Sequence, residues 1–218
     1  MDDEFFDRLR GRVLVYFEER GNGIEHADRV CDLSLKISEG DDVDLDVVRV
    51  AALLHDVARS MEKRNDVATG SGKDIDHSEE GAKMADGILR EMGFSEEKIG
   101  KVAYAIRVHR YSRGLKAETR EAEILQDADR LDALGAVIIV RMIKAAVKWG
   151  TPVYDPSIPI REKYDGAKLS VINHIYEKIL KMTPDSFNTE KAREIARGRY
   201  DFVKEFAERY IKEVEGEL

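Results

Sequence analysis

Apolar residues recur at intervals of three and four along most of the chain, which is the spacing of one face of an α-helix. The first such segment runs from Glu4 to Arg20, the second begins near Glu25, and the third covers about Asp46 to Met61. Later segments cover about residues 77–92, 96–109, 119–149, 161–182 and 189–215. No alternation of apolar and polar residues lasts long enough to predict a β-sheet. The pattern therefore predicts an all-α protein.

Glycines, prolines and polar residues interrupt this helical pattern. The segment 119–149 is broken at Gly135, which leaves open whether it forms one helix or two. The last helix is expected to start after Pro184, with Asn188 or Thr189 as its N-cap. Loops are predicted at residues 62–76, 111–118 and 150–160. The last of these loops contains three prolines and is an irregular connection able to cover a site.

Composition and charge narrow the functional classes. The 218 residues are 43% hydrophobic, which suits a folded domain. Their net charge of −8 argues against nonspecific binding to nucleic-acid polymers. No apolar run approaches the roughly 20 residues of a membrane span. The start Met1-Asp2-Asp3-Glu4 is unlike a signal peptide, and the single Cys31 allows no internal disulfide. We expect a cytoplasmic protein without a membrane partner, whose substrate is small.

The pair His55-Asp56 lies inside the apolar run from Val50 to Arg59. An ionised carboxylate in such surroundings is costly unless it is paired or coordinates a metal. A metal site is one interpretation of the pair. A capped helix end, with His55 as a satisfied core histidine and Asp56 facing solvent, explains the pair alone equally well.

Four histidines, His26, His55, His77 and His109, fall at or near the ends of predicted helices. Helix ends can meet at one mouth of a bundle, which is where helical bundles build metal sites. Imidazole nitrogen together with carboxylate oxygen suits a divalent transition metal.

The carboxylates for such a site lie in the segment from Gln126 to Leu134, where three aspartates are embedded among apolar residues. At 100° per residue Asp129 and Asp132 share a helix face, whereas Asp127 and Asp129 point in nearly opposite directions. One aspartate can therefore approach a metal while another supports the ligands. An acid-rich first turn of a helix is the competing interpretation.

The order His26, His55-Asp56, Asp129 resembles the H…HD…D signature of the HD-domain metal-dependent phosphohydrolase superfamily. The resemblance is closest to a bacterial and archaeal subgroup with the segment Asp-Ala-Asp-Arg-Leu-Asp-Ala-Leu-Gly-Ala, here 127–136. It extends from about residue 23 to residue 215. It implies one compact helical bundle of the HD type over residues 1–218, with a core at about 23–150 and C-terminal helices at about 161–215 packed on it.

By this resemblance the metal ligands are His26, His55, Asp56 and Asp129. Asp129 is favoured because the last ligand of the family usually stands in an Ala-Asp-x-Leu context, which Ala128 to Leu131 matches. Asp127 stays the rival ligand. The cofactor is expected to be a divalent ion, with Mn, Mg, Ni, Co, Fe and Zn all open.

His77 and His109 resemble positions that complete a second metal site in some branches of the superfamily. The double histidine and the Gly-Tyr-Pro signature of the cyclic-dinucleotide branch are absent here, which disfavours cyclic di-GMP as substrate. We expect His77 and His109 to contact phosphate or to transfer protons. A purely structural role is the alternative.

The remaining candidates surround this expected site. We assign Arg130 and Asp56 to catalysis, and Arg59 and Asp132 to substrate binding, since the planar fork of Arg suits phosphate. His174 and Lys178 lie one turn apart in the tail Asn-His-Ile-Tyr-Glu-Lys of the same subgroup. The sequence leaves open whether these two reach substrate or pack locally.

The resemblance implies hydrolysis of a phosphate ester or anhydride, with a nucleotide as the expected substrate of a nucleotidase, pyrophosphohydrolase or phosphodiesterase. Two other classes are kept. One is a di-iron oxygenase on a related helical scaffold, in which His77 and His109 complete the site. The other is a nucleotide sensor without turnover. The sequence is also compatible with a homo-oligomer.

Overall fold

A computed structural model of the protein describes residues 2–18, 23–61, 75–110, 113–167 and 169–218. All regular elements in these ranges are helical and none is a strand, which confirms the all-α prediction. The α-helices are α1 Asp3–Val13, α2 Val15–Glu18, α3 Gly23–Ser38, α4 Leu45–Leu54, α5 His77–Glu91, α6 Glu96–Val108, α7 Arg120–Asp132, α8 Ala136–Trp149, α9 Val171–Glu177 and α10 Glu190–Glu215. Short 3₁₀ turns occur at Ile179–Lys181 and Pro184–Ser186.

The chain divides into two compact units, one up to Asp129 and one from Arg130 onwards. The boundary falls inside α7. A single domain over residues 1–218 stays a prediction.

Helix α4 lies at the centre of the first unit, packed against α3 and α6. Its residues from Val47 to Leu54 are buried on every side except for Arg49. A helix that is apolar all round has to be enclosed by other elements. The chain that leaves the C-terminal end of α4 therefore enters the interior, and this is where the His55-Asp56 pair follows.

Aspartate caps fix the starts of two helices of the first unit. Asp44 accepts hydrogen bonds from the backbone N–H groups of Asp46 and Val47 at 3.1 and 3.3 Å, at the start of α4. Asp76 accepts one from Ser78 at 3.0 Å, at the start of α5. Both match the preference of helix N-termini for Asp. The second cap places His77 in the first turn of α5.

The prediction of one helix from Asp46 to Met61 was wrong beyond Leu54. There the chain tightens into three-residue turns, such as the one closed by Arg59 N–H donating to Asp56 O at 2.9 Å. One physical reason is local: the Ala52 carbonyl, which a continuing helix would pair with the N–H of Asp56, accepts from the imidazole of His55 at 2.7 Å. The pair thus sits at and just after the helix end.

In the second unit the segment that the sequence left open forms two helices, α7 and α8. Gly135 separates them with φ +95°, a conformation that side chains rarely adopt. A Cβ at this position would lie 3.1 Å from Cγ of Arg199. Arg199 also donates to the Leu131 carbonyl at the end of α7. Glycine therefore allows the break and the close approach of α10.

The predicted helix from Arg161 to Met182 was wrong at residues 161–167, 169 and 170, which are irregular before α9 begins. Gly166 has φ +90°, which ends any helical continuation. Arg161 pairs with the buried Glu177 at 2.9 Å and with Asp165 at 2.8 Å, so this segment is bound to α9 by charge. Ser170 caps α9.

The remaining connections agree with the sequence. The predicted loop at residues 150–160 is irregular, and Thr189 rather than Asn188 caps α10. Residues 62–74 and 111–112 of the other two predicted loops lie outside the described residues. Within the described ranges, no helix combines the length and the apolar composition that crossing a bilayer requires.

Candidate functional site

Three side chains from different helices bring their polar atoms together in the first unit, and we call them the first cluster: His26, His55 and Asp129. Nε2 of His26 lies 3.2 Å from Nε2 of His55 and 3.3 Å from Oδ1 of Asp129. Nε2 of His55 lies 3.8 Å from the same oxygen. Ligands around an ion with bonds of about 2.1 Å are spaced by roughly 3 to 3.5 Å. The spacing fits a small divalent ion.

The orientation of His55 points to the same use. Its ring is fully buried, and Nδ1 lies 2.7 Å from the Ala52 carbonyl, so Nδ1 must donate. Burial lowers the pKa of His55 and outweighs the nearby carboxylates, which keeps the ring neutral. Its Nε2 lone pair then faces the ring of His26. Metal-binding histidines commonly donate their other N–H to a carbonyl in this way.

A second cluster consists of Asp56, His77 and His109. Oδ1 of Asp56 lies 3.3 Å from Nε2 of His77 and 3.8 Å from Nε2 of His109. His109 repeats the arrangement of His55, because its Nδ1 donates to the Ile106 carbonyl at 2.6 Å. Nε2 of His109 is therefore the atom that faces the carboxylate.

Asp56 belongs to the second cluster but also faces the first. Its Oδ2 is 4.0 Å from Nε2 of His26 and 3.9 Å from Nε2 of His55, while Oδ1 faces the second cluster. Burial raises the pKa of this carboxyl, but the neighbouring His55 and Arg59 outweigh burial and lower the pKa to about 2. Asp56 is thus ionised at neutral pH and acts only as an acceptor.

Asp129 is held ionised as well. Burial raises its pKa, yet the hydrogen bond from His26 and the neighbouring imidazoles outweigh burial and leave the pKa well below its usual range. Asp56 and Asp129 together offer two negative charges beside two imidazoles. This donor set matches the charge and the ligand preference of a divalent transition ion.

Arg59 packs against the second cluster. Its Nη1 lies 2.9 Å from Nδ1 and 2.8 Å from Nε2 of His77. Burial and the charge of Arg59 lower the pKa of His77 to about 4. The imidazole of His77 is therefore neutral at physiological pH.

The sequence profile of the family described as HD domain matches residues 23–134, a range that contains both clusters. The protein belongs to the HD domain family. The resemblance to the HD superfamily is thereby confirmed, while membership of the subgroup defined by residues 127–136 stays a prediction.

Relatives of this HD domain protein extend over nearly its whole length. YpgQ of Bacillus subtilis is 31% identical in an alignment of 211 positions that covers 91% of this chain and 87% of YpgQ. A solved HD-superfamily hydrolase from Bacillus thuringiensis is 30% identical, with a TM-score of 0.72 and 97% of each chain covered. The structure of YpgQ in complex with ADP is 28% identical, with a TM-score of 0.67 and 99% and 95% covered.

The two rival aspartates of this HD domain occupy different places. Asp129 contributes its carboxylate to the first cluster, whereas Asp127 is fully buried and is not among the converging donors of either cluster. The half-turn between them follows from the helical geometry of α7. The choice of Asp129 as the metal ligand stays a prediction, and this geometry supports it.

The Asp129→Ala variant is expected to lose metal binding, while Asp127→Ala is expected to keep most of it and to lose stability or activity. The reason is that only the first substitution removes an oxygen within 3.3 Å of His26. A paired titration of both purified variants with Mn²⁺ measures the difference. If Asp127→Ala loses the metal and Asp129→Ala retains it, the ligand assignment is wrong by two residues.

Two other predicted site residues have contacts within the second unit. Arg130 donates to the Ser186 carbonyl at 2.8 Å, and its guanidinium lies 4.5 Å from the ring centre of Phe187. The buried carboxylate of Asp132 pairs with Arg141 at 2.9 Å. These contacts stabilise the packing of the unit. The catalytic role of Arg130 and the substrate role of Asp132 stay predictions.

His174 and Lys178 both contact Tyr164. The rings of His174 and Tyr164 meet edge to face at 5.4 Å, and Nζ of Lys178 lies 5.4 Å from the centre of the Tyr164 ring. Burial lowers the pKa of His174. The contacts show local packing, and a substrate role for either residue stays a prediction.

Asp76 is a site neighbour that the sequence reasoning missed. Besides capping α5, it pairs with Arg110 at 3.2 Å and with Arg113 at 2.5 Å. Burial raises its pKa, but the hydrogen bonds from Ser78 and Arg110 outweigh burial and lower the pKa to about 2. Its sequence signal was the N-cap position directly before the helical segment that starts at His77. Asp76 thus holds two arginines close to the second cluster.

Proposed function

We propose that this HD domain protein is a metal-dependent phosphohydrolase that acts on a phosphate ester or anhydride, with a nucleotide as substrate. The observation that carries the proposal is the convergence of His26, His55 and Asp129, with Asp56 beside them, at a spacing that fits a divalent ion. The similarity to a solved HD-superfamily hydrolase supports the reaction class. The ADP bound in the YpgQ structure supports the substrate class.

In this proposal His26, His55, Asp56 and Asp129 hold the ion. A divalent ion bound there supplies Lewis acidity toward a phosphoryl oxygen and increases the acidity of water. Asp56 is ionised and can accept the proton of the attacking water through Oδ1, the oxygen that faces away from the first cluster. This assigns different tasks to its two oxygens.

The second cluster and Arg59 act on the substrate phosphate. The imidazoles of His77 and His109 can donate to a phosphate oxygen or pass a proton to the leaving group. Arg59 adds a permanent positive charge that stabilises the negative charge developing in the transition state. The arginines held by Asp76 extend this positive surface.

The test is a substrate panel with metal-stripped protein reloaded with Mn²⁺, Mg²⁺, Co²⁺, Ni²⁺ or Fe²⁺. Nucleoside mono-, di- and triphosphates and a general phosphodiester are offered, and release of phosphate is distinguished from release of pyrophosphate. We expect turnover of at least one nucleotide that depends on added metal, with the stripped protein as control. Absence of turnover throughout the panel would contradict the proposed reaction.

One observation favours a second candidate, the di-iron oxygenase: a second group with two histidines adjoins the first, and Oδ2 of its Asp56 lies 4.0 Å from His26 and 3.9 Å from His55. Aerobic loading with iron that produces a visible absorption band would support it. Tight binding of nucleotide and metal without turnover would instead support the third class considered above, a nucleotide sensor without catalytic activity.

A further inference from the structure

We infer that Arg59 keeps the cluster of Asp56, His77 and His109 free of metal, because its guanidinium occupies the place that a second ion would take. The inference rests on the proposed function for its first metal, and it adds a rule for metal content to that proposal. Three observations on the described residues of the first unit support it: the position of Arg59, the space around the donors, and the charge of the site.

The geometry places Arg59 on the atoms that a second ion would need. Its Nη1 lies 2.8 Å from Nε2 and 2.9 Å from Nδ1 of His77, so it faces the ring between the two nitrogens, and Nε2 is 3.3 Å from Oδ1 of Asp56. A guanidinium nitrogen only donates, so it is drawn to a lone pair of the ring. A metal bond of about 2.0–2.2 Å would use that lone pair. Arginine and metal therefore compete for His77.

The site leaves little room for both cations. The side chains of His77 and His109 are 1% and 2% exposed, and that of Asp56 is 19% exposed. The donors are thus fixed by packing and cannot spread to admit an ion beside the guanidinium. The backbone of Arg59 is held by the turn that its N–H closes on the Asp56 carbonyl, and its guanidinium contacts the ring of His77.

Charge acts in the same direction. The second cluster contains one carboxylate, and Asp56 also turns Oδ2 toward the first cluster. An ion in the first cluster already draws on the charges of Asp56 and Asp129. The guanidinium carries a positive charge, so it repels a second divalent ion. Removal of this charge should admit that ion.

The experiment compares the wild type with Arg59→Gln, a neutral side chain of similar polarity. Both proteins are stripped of metal, dialysed against Mn²⁺ and analysed for manganese per chain. We expect Arg59→Gln to hold about one ion more than the wild type. Adding His77→Ala to Arg59→Gln should abolish this gain. Arg107→Gln is the control: Arg107 lies on α6, is exposed and pairs with Glu79, and its substitution should leave the manganese content unchanged.

Equal manganese content in Arg59→Gln and the wild type would overturn the inference. A titration of the wild type covers the case in which Arg59→Gln does not fold: a second manganese that disappears in His77→Ala would also overturn it, and its absence supports it. The readout needs no substrate. If Arg59→Gln gains one ion and the protein hydrolyses no substrate, the role of Arg59 is supported and the proposed function is contradicted. If the protein hydrolyses a nucleotide and Arg59→Gln gains no ion, the proposed function is supported and the role of Arg59 is contradicted.

Discussion

The His55→Ala variant is expected to lose its metal and its phosphohydrolase activity together. His55 is fully buried, and its Nε2 faces both His26 and Asp129, so the substitution removes a donor from the centre of the cluster. Loss of a residue that merely supports a ligand commonly costs about 10- to 100-fold in metal affinity or activity. Loss of the ligand itself should exceed that range. Elemental analysis and the nucleotide assay measure the two effects.

A large-to-small change at this depth also opens a cavity, so a control is needed. Leu54→Ala removes an equally buried neighbour without touching a donor, and it should lower the free energy of unfolding by about 2 to 5 kcal/mol while the metal stays. Asp56→Ala should empty the site like His55→Ala. Full metal occupancy in both His55→Ala and Asp56→Ala would rule out the ligand set.

The sequence drew attention to the pair His55-Asp56 because an imidazole and a carboxylate follow directly on a buried apolar run. Continuous apolar sequence from Val47 to Leu54 requires an enclosed helix, and the pair that follows it has to be compensated inside the protein. The periodicity of α7 placed Asp127 and Asp129 on different faces. Local rules of this kind depend only on neighbouring residues, whereas the set His26, His55 and Asp129 came from the resemblance to the HD superfamily. The structure brings the polar atoms of these three residues together, and their role as ligands stays a prediction.

The features that the sequence did not predict depend on contacts of particular side chains, some of them local and some between distant residues. The end of α4 at Leu54 involves the imidazole of His55 bonding back to Ala52, which helical periodicity does not register. The irregular chain before α9 involves the pairing of Arg161 with Glu177, 16 residues away. The contact of Arg59 with His77 bridges 18 residues. The sequence led us to expect that Arg59 binds phosphate, but it did not predict the contact with His77.

The His77→Ala and His109→Ala variants are expected to retain the metal of the first cluster and to lose turnover by roughly 10²- to 10⁴-fold in kcat, the range for general acid–base groups. Both rings face Asp56 through Oδ1, the oxygen turned away from the first cluster. Neither ring belongs to the His26, His55 and Asp129 group. Metal content and single-substrate kinetics on the active nucleotide, measured on the same preparations, check the prediction.

Gln126→Leu provides the matched control, because Gln126 donates to the Val108 carbonyl at 2.7 Å next to His109 and its loss loosens the same region. The control should lose stability but change kcat by only a few-fold. A His77 or His109 variant with normal turnover would show that this histidine is structural. If the wild type holds two ions and either variant holds one, the second cluster is a metal site in its own right. That result would also refute the role inferred for Arg59, since the same imidazole cannot serve both cations.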